Sequence, residues 1–545
     1  FKFSRTWYNE LARRNSDPSY EKWRVNNRNV YEYFGNTNWY DVFYKDYTTG
    51  HQHNISVTGG GDVASYYVSG RMFEQDGIYN AGDEKYQQFN VKAKGIVNVK
   101  PWLRVENTTD FMYRYSHQPT SHTGISTTPM TVSRMLNHQA YPVALVTNPD
   151  GTWTYAAVLN GYAGFAEGTS YQQEDKFTLK DKLGVEIDLV KDVLKVSGDL
   201  SYLFSRNTRE RVTNMYTGYT GPESTITVNE SQGSTLQNVR YDMNYVSSNI
   251  YAEYTPKLGD DHSLKLLGGW NLEKKKYRTL TVKREGLTVP SKPSFGLMDG
   301  VTSDPTVGGY DWSYVGAFFR ANYGYKGRYL AEFSCRYDGS SKFPQNSKWG
   351  FFPSVALKWN AAKENFLKDV RWIDELSLRL SAGRTGNDAI SAYRSLAAMS
   401  STTSGYLFDG MQPGAYYRSR LASPNLTWEK TDLYNAALDL AFFNNRLMIT
   451  AEGYISKTRD LLLTVQTASA TGYTSRYANI GKTSNKGVEL SIESRNIVRP
   501  KFSWTTNLTI AHNKQNVDDI GSEDFVTALS SPGNNLSLIH ISEPT

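Results

Sequence analysis

In the stretch FSWTTNLTI, Phe502, Trp504, Leu508 and Ile510 occupy alternate positions, while Ser503, Thr505, Asn507 and Thr509 fill the gaps. Successive side chains of an extended strand point to opposite faces, so such a stretch can set one face in an apolar medium and keep the other in water. The pattern recurs along the chain. Leu376, Leu378 and Leu380 alternate with Ser377, Arg379 and Ser381. Leu194, Val196, Leu200, Tyr202 and Phe204 face away from Lys195, Ser197, Asp199 and Ser201, and Val488, Leu490 and Ile492 from Glu489, Ser491 and Glu493.

Many of these runs reach about ten residues, beyond the roughly five or six usual in soluble sheets and near the 9–11 or so that a tilted strand needs to cross a bilayer. The pattern predicts strands near 52–58, 64–75, 86–97, 101–116, 174–188, 193–205, 239–256, 263–278, 312–325, 328–337, 349–360, 374–386, 428–442, 446–460, 485–496 and 502–514. Tight turns are expected at 59–62, 98–101, 188–192, 257–261, 325–328, 442–446 and 496–500, and long polar segments at 117–173, 206–238, 279–311, 387–427 and 461–484. Short turns at one rim and long loops at the other are the arrangement of an up-and-down transmembrane barrel. No stretch approaches the roughly 18 to 20 consecutive apolar residues of a membrane-spanning helix. The expected class is therefore all-β, an antiparallel transmembrane β-barrel of about sixteen strands.

Composition agrees. Only 39% of residues are apolar and the mean hydropathy is −0.56, yet the chain holds 39 Tyr, 23 Phe and 12 Trp. Rings suit the level where an outward-facing strand meets the headgroup layer, half in oil with a hydroxyl or N–H in water. Tyr337, Trp349, Phe351 and Trp359 are assigned to that membrane-interface girdle, around a polar loop at YDGSSKFPQNSKWG. The net charge of +6 comes from 60 basic and 54 acidic residues scattered along the chain, so no nucleic-acid partner is expected. A lone Cys335 excludes an internal disulfide framework.

Catalytic and ligand motifs fail. NIGKTS ends like a phosphate loop, but the first glycine of that pattern would fall on Arg476. His51 and His53 share one face of a strand as a ligand pair would, yet with no third His or Cys nearby they read as a polar strand end. Glu489 and Glu493 would lie about 13 Å apart on one strand, too far for paired-carboxylate glycoside cleavage. Asp260, Asp261 and Asp338 read as turn residues rather than calcium ligands. No enzyme, cofactor or metal site is expected. Flat aromatic faces beside hydroxyls are what a sugar-binding mouth would use, and the long loops offer Trp153, Tyr155, Tyr162, Tyr171, Tyr216, Tyr219, Tyr406, Tyr416 and Tyr417 as candidates. The alternative for these rings is packing of the loops on one another or on a partner.

Six ordered segments carry a resemblance. They are NTNWYDVFYKD (36–46), QHNISVTGGGDVASYYVSGRMFEQDGI (52–78), DGSSKF with WGFFPS (338–354), LSLRLSAGRTGND (376–388), NLTWEKTDLYNAALDLAFFNNRL (425–447) and NIGKTSNKGVELSI (479–492). Together they resemble the SusC/RagA-like TonB-dependent outer-membrane transporters of Bacteroidota. The resemblance implies residence in the outer membrane and TonB-driven import of an oligosaccharide or peptide. It also implies a SusD-like surface lipoprotein as partner and a TonB energising complex reached through an N-terminal plug region. On this reading residues 1–50 are the connection from a preceding strand and 51–535 are part of a 22-stranded barrel. The segment 536–545, LSLIHISEPT, reads as translated sequencing-adapter DNA and is left out of the fold expectation. A passive porin and a secreted soluble β protein, either a carbohydrate-binding module or a glycosidase, are the alternatives.

Overall fold

The protein was analysed as a computed structural model. It describes residues 5–520 apart from 18, 121–140, 229–232, 368, 404, 405, 408, 468 and 474, so the segment 536–545 lies outside the described residues. Sixteen strands form one antiparallel sheet in which each pairs with its neighbours in the chain. They are β1 (Gly50–Gly60), β2 (Ala64–Asp76), β3 (Lys85–Lys100), β4 (Leu103–Pro119), β5 (Tyr171–Val190), β6 (Leu194–Thr213), β7 (Thr235–Tyr254) and β8 (His262–Glu285). The second half comprises β9 (Thr302–Tyr325), β10 (Tyr329–Ser340), β11 (Trp349–Asn360), β12 (Ile373–Asn387), β13 (Glu429–Phe442), β14 (Leu447–Arg459), β15 (Lys482–Arg499) and β16 (Phe502–Asp519). β1 and β16 have one neighbour each among the described residues.

All sixteen expected strands are present, in the expected order. The difference lies at their outer ends. The alternation fades near 206 and 279, whereas the ladder continues, with β6 paired to β7 as far as Thr213↔Thr235 and β8 running to Glu285. Beyond the bilayer both faces of a strand are wet, so the alternation disappears although the backbone hydrogen bonds persist. The turns at the other rim are tight except for the connection 361–372 between β11 and β12. Between β13 and β14 the chain reverses through Phe443, Asn444 and Asn445, all left-handed with φ of 59°, 60° and 56°. Asn tolerates that region better than most residues.

The two faces are clearest on β10 and β11. The lipid-facing rows read Tyr329, Ala331, Phe333, Cys335, Tyr337 and Trp349, Phe351, Pro353, Val355, Leu357, Trp359, with aromatics at both ends and aliphatics between. Trp349 and Trp359 are ten residues apart, about 33 Å along a strand and about 25 Å in height at a tilt near 40°, the span of the apolar band of such barrels. Tyr337 and Trp349 stack with centroids 5.0 Å apart and planes within 5°. At the inner rim Trp359 Nε1 and the Tyr329 hydroxyl both donate to Glu364, at 3.2 and 2.6 Å. Trp372 stacks on Phe442 and Phe443 there. Tyr337, Trp349 and Phe351 thus lie toward the outer ends of these rows and Trp359 at the inner end.

The opposite face is polar and cross-braced. Arg379 makes a two-pronged ion pair with Asp439 at 2.6 and 3.0 Å, and Lys94 pairs with Glu106 at 3.0 Å. Arg209 donates to Glu174 at 2.6 Å and the Tyr245 hydroxyl to Glu273 at 2.7 Å. Most of the largest buried side chains lie elsewhere, in the segments that leave the sheet at its outer rim and the strand ends beside them.

Candidate functional site at the outer mouth

Two packed caps stand on the outer rim. The first joins residues 31–44, ahead of β1, to the connection between β4 and β5. Its helices are α1 (Arg5–Ser16), α2 (Trp39–Phe43), α3 (Tyr155–Leu159) and α4 (Tyr162–Glu167). Asn38 caps α2 by accepting from Tyr40 N, and the Thr154 hydroxyl caps α3 by accepting from Ala157 N at 3.1 Å while donating to Leu145 O at 2.7 Å. Trp39 and Phe43 from α2 meet Ala157, Phe165 and Tyr79 in one buried cluster, with Phe43 edge-on to Tyr162 at 5.3 Å and to Phe165 at 5.8 Å. Trp39 Nε1 donates to Tyr141 O at 3.0 Å and the Tyr33 hydroxyl to Asn148 Oδ1 at 2.7 Å. Burial holds the Tyr33 and Tyr79 hydroxyls well above the usual tyrosine range. The Tyr79 hydroxyl has no hydrogen-bond partner among the described residues. Burial likewise raises the Glu84 carboxyl, although Ile78 N donates to it at 2.9 Å.

The second cap gathers the connections 341–348, 388–428 and 460–481. Phe343, Phe352, Ile390, Leu426 and Trp428 form its core, with Tyr314, Leu462 and Tyr477 against it. Phe352 lies 5.3 Å from Trp428, edge to face, in a space kept open by two glycines: a Cβ on Gly350 or Gly386 would stand 2.4 or 2.1 Å from the Phe352 ring. Polar ties bind the three connections together. Trp428 Nε1 donates to Lys348 O at 2.9 Å, the Ser347 hydroxyl to Leu426 O at 2.6 Å, and Asn479 exchanges two 2.7 Å bonds with the backbone of Thr427. The Ser340 hydroxyl donates to Asp388 at 2.7 Å, and Lys342 pairs with the same carboxylate at 3.3 Å. Pro353 marks where the sheet opens to admit this core, because the β11–β12 ladder begins only at Ser354↔Gly383. Proline has no N–H to continue a ladder.

The candidate aromatics divide between core and surface. Tyr216 is 2% exposed, its hydroxyl donating to Ser170 Oγ at 2.7 Å. Trp153 is half-buried beside Tyr162 and donates from Nε1 to Glu167 at 2.8 Å, while the Tyr171 hydroxyl donates to Glu210 at 2.8 Å. Tyr155 opens α3 and Tyr219 flanks it through a backbone bridge to Thr154, both half-buried. Tyr406, Tyr416 and Tyr417 are the exposed ones, Tyr416 at 79%, and the last two lie on a hairpin pairing 398–403 with 414–420. The sequence reading missed Phe343, Phe352, Leu426 and Trp428. The signal was present, since all four sit inside the motifs that carried the resemblance.

Of the remaining polar candidates, His51, Asp338 and Asp261 are engaged structurally. His51 Nε2 stands 3.5 Å from Glu74, Asp338 accepts from Arg336 at 2.9 Å, and Asp261 pairs with Lys326 at 3.2 Å. No cluster of three or more His, Cys, Asp or Glu fit to hold a metal occurs among the described residues.

Comparison with known proteins completes the picture. Residues 132–539 match the family described as TonB dependent receptor-like, beta-barrel. TonB-dependent receptor P3 of Formosa agariphila is 32% identical over 518 residues, covering 91% of this chain and 48% of the relative. TonB-dependent receptor SusC of Bacteroides thetaiotaomicron is 28% identical over 531 residues, covering 88% and 48%. The chain thus spans about half the length of these curated relatives. Among solved structures, the RagAB peptide transporter superposes with a TM-score of 0.74 at 20% identity, over 95% of this chain and 57% of that one. The RagAB peptide importer in its open-open state gives 0.76 at 19%, over 95% and 56%.

Proposed function

The chain belongs to the TonB-dependent receptor-like β-barrel family, a family of outer-membrane transporters and not of enzymes, and on that premise we propose that its parent protein imports an oligosaccharide or peptide through this barrel. Import is driven through TonB, and a SusD-like surface lipoprotein delivers cargo to the outer mouth. The observation that carries the reading is the asymmetry of the sheet. One rim carries tight turns and a single longer connection, 361–372, while the other carries two folded caps over a polar, ion-paired interior. A diffusion pore needs no such elaboration of one rim. The RagAB structure that shares this fold is named a peptide transporter, and the oligosaccharide alternative rests on the aromatic rings of the outer connections.

Residues 5–49 serve in this reading as the link into β1, and residues from 50 onward as barrel. Unpaired backbone groups at an exposed sheet edge are costly inside a bilayer, so β1 and β16 are expected to pair with further strands of the same barrel. Among the nine candidate aromatics, Tyr406, Tyr416 and Tyr417 on the second cap present rings to cargo, whereas Trp153, Tyr155, Tyr162, Tyr171, Tyr216 and Tyr219 shape and hold the first cap.

The test is growth of the native bacterium on single glycans and peptides, comparing the wild type with a deletion of this gene and with a strain lacking TonB. Loss of the same nutrient in both mutants is expected. Uptake that survives loss of TonB would establish the passive porin instead.

A further inference from the structure

Three neighbouring strands end their lipid-facing apolar rows in lysine. Toward the outer rim β14 reads Ile449, Ala451, Gly453, Ile455 and then Lys457; β15 reads Ile492, Leu490, Val488 and then Lys486; β16 reads Leu508, Ile510, His512 and then Lys514. Lys486 and Lys514 are directly opposed in the ladder, and Lys457, opposite Ser484, is the diagonal neighbour of Lys486. All three are exposed. Nearby cations have carboxylate partners, Lys430 with Asp460, Lys482 with Asp519 and Arg459 with Asp432; Asp432 stands opposite Lys457 in the ladder but is held by Arg384 as well as Arg459. Lys457, Lys486 and Lys514 make no ion pair among the described residues.

Like charges set directly opposite on an antiparallel pair repel, and a bilayer surface screens them less well than water does. With Asp432 held by two arginines, the arrangement favours a further anion at this level. Immediately below, on the same lipid-facing side, is an apolar groove of about 540 Å³ lined by Leu357, Leu380, Tyr434, Ala436, Gly453 and Ile455. It exists because Ala436 and Gly453 are opposed in a row otherwise filled by larger side chains, and Ile455 joins it to Lys486 as its ladder partner.

We propose that the groove and the three lysines form one binding site for a phosphorylated, acylated glycolipid of the outer leaflet. An acyl chain lies along Leu380, Ala436 and Gly453, and the headgroup phosphate accepts from Lys457, Lys486 and Lys514. The site follows from the lipid-facing placement of these strands and is independent of the cargo. Basic residues at a membrane surface each contribute about 1 kcal/mol toward an anionic headgroup, or about fivefold in affinity.

The experiment is titration of delipidated full-length receptor in detergent, followed by native mass spectrometry, with diphosphorylated lipid A and with the same lipid after dephosphorylation. The phosphorylated form should bind at least tenfold more tightly. The combined Lys457→Gln, Lys486→Gln and Lys514→Gln variant should lose about 100-fold, while Lys94→Gln on the opposite face should bind as wild type. Gly453→Leu, which fills the groove and keeps the lysines, should also weaken binding. Equal binding of the dephosphorylated lipid, wild-type affinity in the triple variant, or full competition by inorganic phosphate alone would overturn the proposal.

Discussion

Trp349 and Trp428 both stand toward the outer rim, yet the first leaves 44% of its surface exposed and the second 3%. Trp349 stacks on Tyr337 at the edge of the lipid-facing row, where the surrounding solvent is hydrocarbon and headgroup. Trp428 is enclosed by Phe343, Phe352 and Tyr314 in a cap that must exclude water by its own packing. The band therefore has one layer of backbone and no interior, while the caps have an interior of the soluble kind. Stability of the band depends on which face a side chain takes, and stability of a cap depends on shape. The large buried aromatics gather in the caps, while the buried residues of the band are small ones such as Ala437, Ala441 and Ser377.

The largest effect that separates the two should come from truncating the rings. Trp428→Ala removes a fully enclosed side chain together with its Nε1 bond to Lys348 O, for an expected cost of about 3–5 kcal/mol to the second cap. Trp349→Ala, with its ring already half exposed, should cost much less. Limited proteolysis of the connections 388–428 and 460–481 in the two variants reads the difference; equal protection in both would show that the cap is not held by its core.

A charge tests the band instead. Leu490→Arg places a cation on the lipid face near mid-band and should destabilise folding into bilayers by about 2–4 kcal/mol, whereas Ser491→Arg on the adjoining polar face should be nearly neutral. Equilibrium unfolding from liposomes measures both. Similar costs at the two positions would contradict the assignment of faces on β15.

The face assignment was the legible part. Leu490 and Ser491 could be sorted from the sequence because a strand crossing a bilayer must alternate, and the rule holds residue by residue without knowing any partner. Strand ends were less legible, as at Arg206 to Thr213, because a ladder in water on both sides leaves no trace in side-chain polarity. The caps were illegible as packing. Trp39 meets Ala157 and Phe165, and Phe352 meets Trp428, across long sequence separations, and no local period announces such contacts. Motif resemblance marked Phe343, Phe352 and Trp428 without revealing that they converge. The candidate mouth aromatics were named as one set, since a tyrosine in a loop reads the same whether its ring packs, as Tyr216 does, or projects, as Tyr416 does.

Shape dependence predicts a third, smaller effect. Gly386→Ala would set a methyl within the Phe352 ring and should cost about 1–3 kcal/mol as the ring is displaced. Gly453→Ala on the open lipid face meets only ordinary contacts and should be tolerated. Thermal loss of heat-modifiable gel mobility ranks the two; reversal of that ranking would mean that Phe352 is free to move.

The smallest expected effect is a pH dependence confined to the first cap's side of the rim. Glu84 closes the turn 77–84, where burial raises its carboxyl against the stabilising pull of Lys45 and the Ile78 N–H. A carboxyl with a raised value in the folded state binds protons more readily folded than unfolded, so folding stability falls as pH rises from the unfolded value near 4.3 through the folded one. Glu84→Gln keeps an oxygen for Ile78 N and has no charge to bury. Relative to wild type it should therefore gain stability on going from pH 4 to pH 7, by denaturant unfolding of the full-length receptor. A gain toward acid instead would mean that the attraction of Lys45 outweighs desolvation at this turn.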